Sequence, residues 1–245
     1  MINIYQIEIT NHCNLNCSYC PRTFMKRKLG IMDKQIIDII SNKIKNNTIR
    51  LHHYGESLIA PSVVYYAIKV FKKKNINTIL NTNGTLLTPE VTRQLFNNGL
   101  QHINLSYHSD KSLKFINEIE NKYRNKITIL KITNEQNNII TSKLQFLKSL
   151  GYNVEYKILR DLGQIKKEGI LKEGAPTQPY CSFLKNNEVA ILQDGTIVPC
   201  CECFDDNYTL GNILDIDIIE NKVFEMCKTC KGYGNEDFET ERISI

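Results

Sequence analysis

The chain has no long apolar run. Its most hydrophobic window, LIAPSVVYYAIKVF, is interrupted by Pro61 and Lys69 and is too short to span a bilayer. A signal-peptide pattern is also missing from its start, so the expectation is a cytoplasmic protein with no membrane partner. Nor is there a block of one charge: 31 Lys and Arg against 26 Asp and Glu leave a net charge of +5, and the basic residues are scattered. Nucleic acid is therefore not an expected partner, and the run FKKKN at 71–75 reads as the solvated end of a helix. Cysteine, by contrast, is plentiful. Nine cysteines in 245 residues, with no mark of export to an oxidising compartment, argue for metal ligation over disulfides.

A chain of this length buries a substantial core. Up to about residue 160, strand patterns alternate with helical ones. INIYQIEIT is a first strand, followed by a helix capped at Asp33 with Ile36, Ile37, Ile40 and Ile44 at helical spacing. TIRLHHY, NTILNT, HINLSY, KITILKI and NVEYKIL supply five more strands. The intervening helices start near Pro61, at Thr88-Pro89-Glu90, and before Gly151, and Gly99 stands where one ends. Six strand-then-helix units predict an α/β fold, a partial (β/α)6 barrel of TIM type with chemistry at the carboxyl ends of its strands. The rhythm stops near residue 165. Residues 166–180 read as a linker rich in turn formers, and 181–245 as a small cysteine-rich domain with a hairpin turning at Asp194-Gly195. So short a piece needs a metal to hold it together.

Cys13, Cys17 and Cys20 in CNLNCSYC follow the first strand directly. A structural zinc site closes with four protein ligands, whereas a reactive metal centre keeps one position open. A four-iron, four-sulfur cluster is held by cysteine thiolates, and three of them leave one iron for a small molecule. Taken alone, the triplet also reads as half of a zinc site.

The spacing Cys-x3-Cys-x2-Cys, with Tyr19 before the last cysteine, resembles the signature of the radical S-adenosylmethionine (SAM) superfamily. The resemblance implies a [4Fe–4S] cluster on Cys13, Cys17 and Cys20 whose open iron chelates SAM. It implies one-electron cleavage to methionine and a 5'-deoxyadenosyl radical that abstracts hydrogen from substrate, with an electron donor such as flavodoxin or ferredoxin. Tyr19 joins the expected cofactor contacts. HHYGES, 52–57, is similar to the family's glycine-glutamate loop, in which Gly55 lets backbone approach SAM and Glu56 accepts from its amino group. Tyr54 and Ser57 depart from the family's glycine and proline there. TNGTLL, 82–87, resembles the TNG turn, with Asn83 either facing the cofactor or simply making the turn. In LSYHS, 105–109, Ser106 is expected near the ribose and carboxylate, with Lys131 and Leu159 as further contacts. His52, His53 and His108 belong to the same rim as wall residues, acids or bases.

Cys181, thirteen residues, Gly195, four residues, Cys200 resembles the opening of the superfamily's SPASM and Twitch extensions, and Cys227 and Cys230 supply the remaining pair. The count fits the shorter Twitch pattern with one auxiliary [4Fe–4S] cluster. Cys201 and Cys203 are then spare, although spacing leaves the choice among Cys200, Cys201 and Cys203 open. Zinc on Cys200 or Cys203 with Cys227 and Cys230 is the competing reading. Four cysteines close a cluster, whose role is then electron transfer, the logic attributed to dehydrogenases of this kind. The expected function is a radical SAM oxidoreductase acting on an alcohol of a sugar or cyclitol. Modification of a ribosomally made peptide and a non-catalytic zinc-stabilised module are the alternatives. Arg160, beside Asp161, is expected to face the cavity.

Overall fold

The computed structural model describes residues 1–17, 20–133, 141–158 and 181–228. Six parallel strands, β1 Asn3–Ile7, β2 Thr48–Arg50, β3 Asn77–Thr82, β4 His102–Tyr107, β5 Ile127–Thr133 and β6 Asn153–Ile158, pair in sequence order. Helices α1 Lys34–Lys43, α2 Pro61–Lys73 and α3 Pro89–Asn98 fill the first three crossovers. Their caps are local chemistry: Asp33 accepts the Gln35 amide at 2.7 Å, Thr88 accepts that of Val91 at 3.2 Å, and Gly99 ends α3 at φ 110°.

Alternation along the strands divides the two faces of the sheet. Leu80 and Thr82 of β3, and Ile103 and Leu105 of β4, are buried on the face that packs Ile37 and Ile40 of α1, Val64, Ile68 and Phe71 of α2, and Leu95 of α3. On the other face Asn81, Asn104 and Ser106 stay half-buried. This is the arrangement of a partial barrel with helices outside and polar groups within.

Two features depart from the sequence reading. The β4–β5 crossover holds two short turns, Asp110–Leu113 and Ile116–Glu118, and the one-turn helix α4 Asn121–Arg124. The segment has no continuous apolar stripe, so Ile116, Ile119 and Tyr123 enter the core singly. β2 ends at Arg50, because His52 and His53 turn toward partners on β3 and on the C-terminal segment. The expected helix before β6 is present as α5 Ser142–Ser149 and closes at Gly151, φ 93°.

The C-terminal hairpin extends the same sheet. After the short α6 Ser182–Lys185, β7 Glu188–Ile191 pairs parallel with β1, in register Ile4↔Val189 and Ile7↔Ile191. β8 Thr196–Val198 and β9 Gly211–Asn212 follow antiparallel, and the turn between β7 and β8 uses Gly195 at φ 88°. Val189, Ile191 and Ile197 are wholly buried in the core that holds Ile4 and Ile7. β7 is apolar on both faces because Val189 and Ile191 enter the main core while Ala190 packs in a second apolar cluster with Val198, Cys203 and Met226. The expected linker 166–180 and Leu159, Arg160 and Asp161 lie outside the described residues, as do Tyr19 and Cys230. Among the described residues, no helix is long and apolar enough to cross a membrane.

Candidate metal and cofactor site

β1 runs on into Glu8-Ile9-Thr10-Asn11, where buried polar side chains shape the thiol loop. Asn11 Nδ2 donates to the Lys28 carbonyl at 3.0 Å, and its Oδ1 accepts the Gly30 amide at 2.8 Å. Thr10 Oγ1 donates to the Gly30 carbonyl at 2.7 Å. The segment that carries Cys13, Cys17 and Cys20 therefore leaves the sheet and returns to it at one place. The Cys20 amide donates to the Cys17 carbonyl at 3.0 Å, which sets those two residues on one turn.

Two neighbouring loops dock onto this one. Asn83 Nδ2 donates to Asn14 Oδ1 at 2.9 Å, Asn14 Nδ2 donates to Thr85 Oγ1 at 2.8 Å, and Asn83 Oδ1 accepts the Thr85 amide at 3.0 Å. Asn83 thus makes its turn and also reaches the thiol loop, with Cys13 Sγ 4.0 Å from its Nδ2. Glu56, 1% exposed, brackets two loops: it accepts the Leu58 amide at 3.1 Å, the Thr82 hydroxyl at 2.8 Å and the Asn83 amide at 2.7 Å. Burial raises its pKa against those three donors. A Cβ at Gly55 would collide with the Thr10 carbonyl and crowd Asn11 and His12, so here the glycine admits the backbone that leads into Cys13.

The sulfurs divide by hydrogen-bond direction. Cys13 Sγ accepts the Leu15 amide and Cys227 Sγ accepts the Phe224 amide, each at 3.4 Å. Acceptance from an amide is what a thiolate ligand does, and such bonds tune cluster potentials. Cys203 is the opposite case: buried, it donates to the Asp205 carbonyl at 3.2 Å, and desolvation pushes its thiol up to about 12. It packs with Ala190, Leu192, Val198 and Met226 as a core side chain. Burial also raises Cys13, Cys20 and Cys227, with Arg22 acting against it at the first two and Cys181 adding to it at Cys227. Metal capture is what ionises such thiols. Among the described residues no three ligating side chains converge on one ion's position. A four-iron cluster asks for something else, single thiolates on separate irons, and the reduced, half-buried thiols of Cys13, Cys17 and Cys20 suit it.

Tyr54 packs against the stretch that follows Cys203. Its ring meets His53 and Phe204 edge-on, with centroids 4.5 and 6.2 Å away. Desolvation drives its phenol well above the ordinary range, and Glu202, Cys201, Cys200 and Cys20 add to the rise from within electrostatic reach. Further along the rim Ser106 sits half-buried on β4, Lys131 lies with its ammonium 4.2 Å from the Tyr107 ring centre, and burial lowers the pKa of half-buried His108. His52 Nε2 is 3.1 Å from Asn81 Nδ2, and Asn104 Nδ2 donates to Asn81 Oδ1 at 3.0 Å, a neutral polar ladder across the inner face.

Sequence reasoning missed a buried ionic knot. Arg27 donates to both oxygens of Glu8 at 2.5 and 2.6 Å, to Gln193 Oε1 at 2.6 Å and, from Nε, to the Phe204 carbonyl at 2.8 Å. Asp205 accepts the amides of Lys26 and Arg27 at 3.3 and 3.2 Å. His53 meets the Cys203 carbonyl at 2.8 Å and bonds Gln6 through its other nitrogen. The available signal was Glu8, an acid between Ile7 and Ile9 in a strand that is otherwise apolar at its end.

Comparison with known proteins follows the same outline. Residues 7–152 match the model of the Radical SAM superfamily. An S-adenosyl-L-methionine-dependent 2-deoxy-scyllo-inosamine dehydrogenase of Niallia circulans is 23% identical over 98% of this chain and 96% of its own length. An uncharacterised protein of Methanocaldococcus jannaschii is 35% identical over 44% of this chain, which spans only 35% of that protein's length. Among solved structures, BtrN in complex with AdoMet and 2-DOIA superposes with TM-score 0.60 at 20% identity, over 88% of this chain and 79% of that one. SuiB of Streptococcus suis bound to precursor peptide SuiA gives 0.61 at 16% identity, over 89% and 64%. At those identities the structures speak for the fold. With more than half of its residues inside the family match and the thiol triplet at the head of the barrel, the chain belongs to the radical SAM superfamily, enzymes that use a [4Fe–4S] cluster and SAM.

Proposed function

We propose that the protein is a radical SAM dehydrogenase of a small, neutral, hydroxyl-bearing substrate, with a second cluster on Cys181, Cys200, Cys227 and Cys230. The observation that carries this reading is the docking of the two cysteine-bearing stretches: Arg27, on the return arm of the first, donates to the Phe204 carbonyl at 2.8 Å, and Asp205 accepts the amides of Lys26 and Arg27. Bound there, the two clusters supply the chemistry of oxidation: the first gives the electron that cleaves SAM, and the second takes the electron a substrate releases after losing a hydrogen atom and a proton.

Cys13, Cys17 and Cys20 hold the first cluster, and the Leu15 amide and the Arg22 charge favour the ionised sulfur at that loop. Gly55, Glu56, Asn83 and Ser106 border SAM, with Tyr19 completing the contacts. Glu56 uses three of its roughly four acceptor positions on protein donors, which leaves one for the amino group of SAM. His52, Asn81 and Asn104 present neutral donors and acceptors to the substrate, a set suited to hydroxyl groups. The full-length relation to an inosamine dehydrogenase supports the same substrate class. Reducing electrons come from a flavodoxin or ferredoxin, and the protein works in the cytoplasm, with residues 1–165 as the SAM-cluster region and 181–245, reached through 166–180, as the auxiliary-cluster region of the same sheet.

The test is anaerobic reconstitution followed by incubation with dithionite, SAM and a panel of aminocyclitols, sugars and peptides. Brown protein with about eight irons, 5'-deoxyadenosine and a carbonyl product from a cyclitol or sugar is the expected result. Turnover of a peptide alone overturns the substrate class, and colourless protein with stoichiometric zinc overturns the enzyme.

A further inference from the structure

The ionic knot joins two stretches that chain order keeps far apart. Arg27 and Lys26 belong to the return arm of the N-terminal thiol loop, while Phe204 and Asp205 directly follow Cys203 in the stretch that begins with Cys200 and Cys201. Glu8 belongs to the strand that launches the first loop, and its side chain is 0% exposed against 4% for Arg27. A sealed ion pair is a poor source of stability, since apolar replacements of the same volume serve as well or better, but it is a good source of register. The geometry is also one that arginine alone can supply. A planar fork reaches the carboxylate bidentately and still has donors for a side-chain amide and a main-chain carbonyl, whereas a lysine offers a point charge.

We propose that Arg27 is a positioning residue that fixes the loop bearing Cys200 and Cys201 against the loop bearing Cys13, Cys17 and Cys20, so that the separation of the two metal centres is set by one guanidinium. The proposal rests on the reading of both thiol groups as cluster sites. Four of its five N–H groups are directed at three segments of the chain, and two main-chain amides of its own arm are returned to Asp205. Loss of the fork frees the stretch 200–205 to move while β7 and β8 stay in the sheet. The distance between centres, and with it the potential felt at the second, becomes variable.

The experiment uses the metal-free full chain and reads alkylation at each cysteine by mass spectrometry, in Arg27→Lys, Asp205→Ala and the double variant Glu8→Gln/Arg27→Gln. The double variant removes both charges of the buried Glu8–Arg27 pair, and Asp205→Ala leaves that pair intact, so each tests the clamp independently of whether Arg27→Lys folds. The expected result is a rise of about tenfold at Cys200 and Cys201, as for loss of one charge-assisted hydrogen bond, with Cys181 and Cys227 at wild-type rates. Unchanged Cys200 and Cys201, or an equal rise at Cys181 and Cys227, overturns the assignment. In iron-loaded Arg27→Lys the electron paramagnetic resonance signal of the second centre broadens and its midpoint potential shifts; an unaltered signal and potential also overturn it. Wild-type protein that takes up no iron refutes the cluster reading, while the alkylation pattern still decides the clamp.

Discussion

Cys203 and Cys227 border the same small apolar cluster, yet their sulfurs face opposite partners, a carbonyl in one case and an amide in the other. Replacing Cys203 with alanine should leave iron content unchanged and cost about 1 kcal/mol, the scale of a small core deletion. Cys227→Ala should remove about half of the iron, that of one cluster of two. Metal analysis beside urea unfolding checks both. His53 titrates the knot. Burial holds its imidazole below the ordinary range, so the folded protein takes up a proton less readily than the unfolded chain. Stability is therefore lost as the pH falls: the urea midpoint should drop between about pH 7 and pH 5, and less so in His53→Gln, which keeps a donor and an acceptor. At this scale the sequence named candidate site residues but not what each touches. Glu56 was legible as a site carboxylate, but its three protein donors come from a turn and a strand end that only folding brings together.

Elements whose signals are local were legible. Asp33, Thr88-Pro89, Gly99 and Gly151 marked helix ends because caps and left-handed stops act within a few residues. The β4–β5 crossover was not, since Ile116, Ile119 and Tyr123 are placed by the core and not by a periodic stripe. The loops at the strand ends share one constraint at Gly55, where the Glu56 amide also donates to the His12 carbonyl at 2.8 Å. Gly55→Ala should push the 52–57 loop off the segment leading into Cys13 and cost about 1–3 kcal/mol as an overpacked contact. Iron at the N-terminal thiols should fall while the C-terminal thiols keep theirs. Retention of both full iron content and wild-type stability would show that the contact is not tight.

Across the whole molecule, the partial barrel and its cysteine-rich tail were legible as separate stretches, because period and composition change near residue 165. Their union in one sheet was not, because strand order is settled by packing and EVAIL carries no mark of which edge it will join. The β1–β7 pairing places Ile4 against Val189 and Ile7 against Ile191, so residues 1–180 alone would leave β1 as a bare apolar edge. That fragment should be insoluble or aggregated by light scattering where the full chain is monodisperse; a monodisperse fragment with native-like circular dichroism would refute the dependence. The same pairing has a meaning for biosynthesis. A ribosome adding roughly 5–20 residues per second releases the first strand on the order of ten seconds before its partner. The nascent chain must be held off other strands for that interval, and the cradle at Cys13, Cys17 and Cys20 takes its final shape only once translation has passed Asp205.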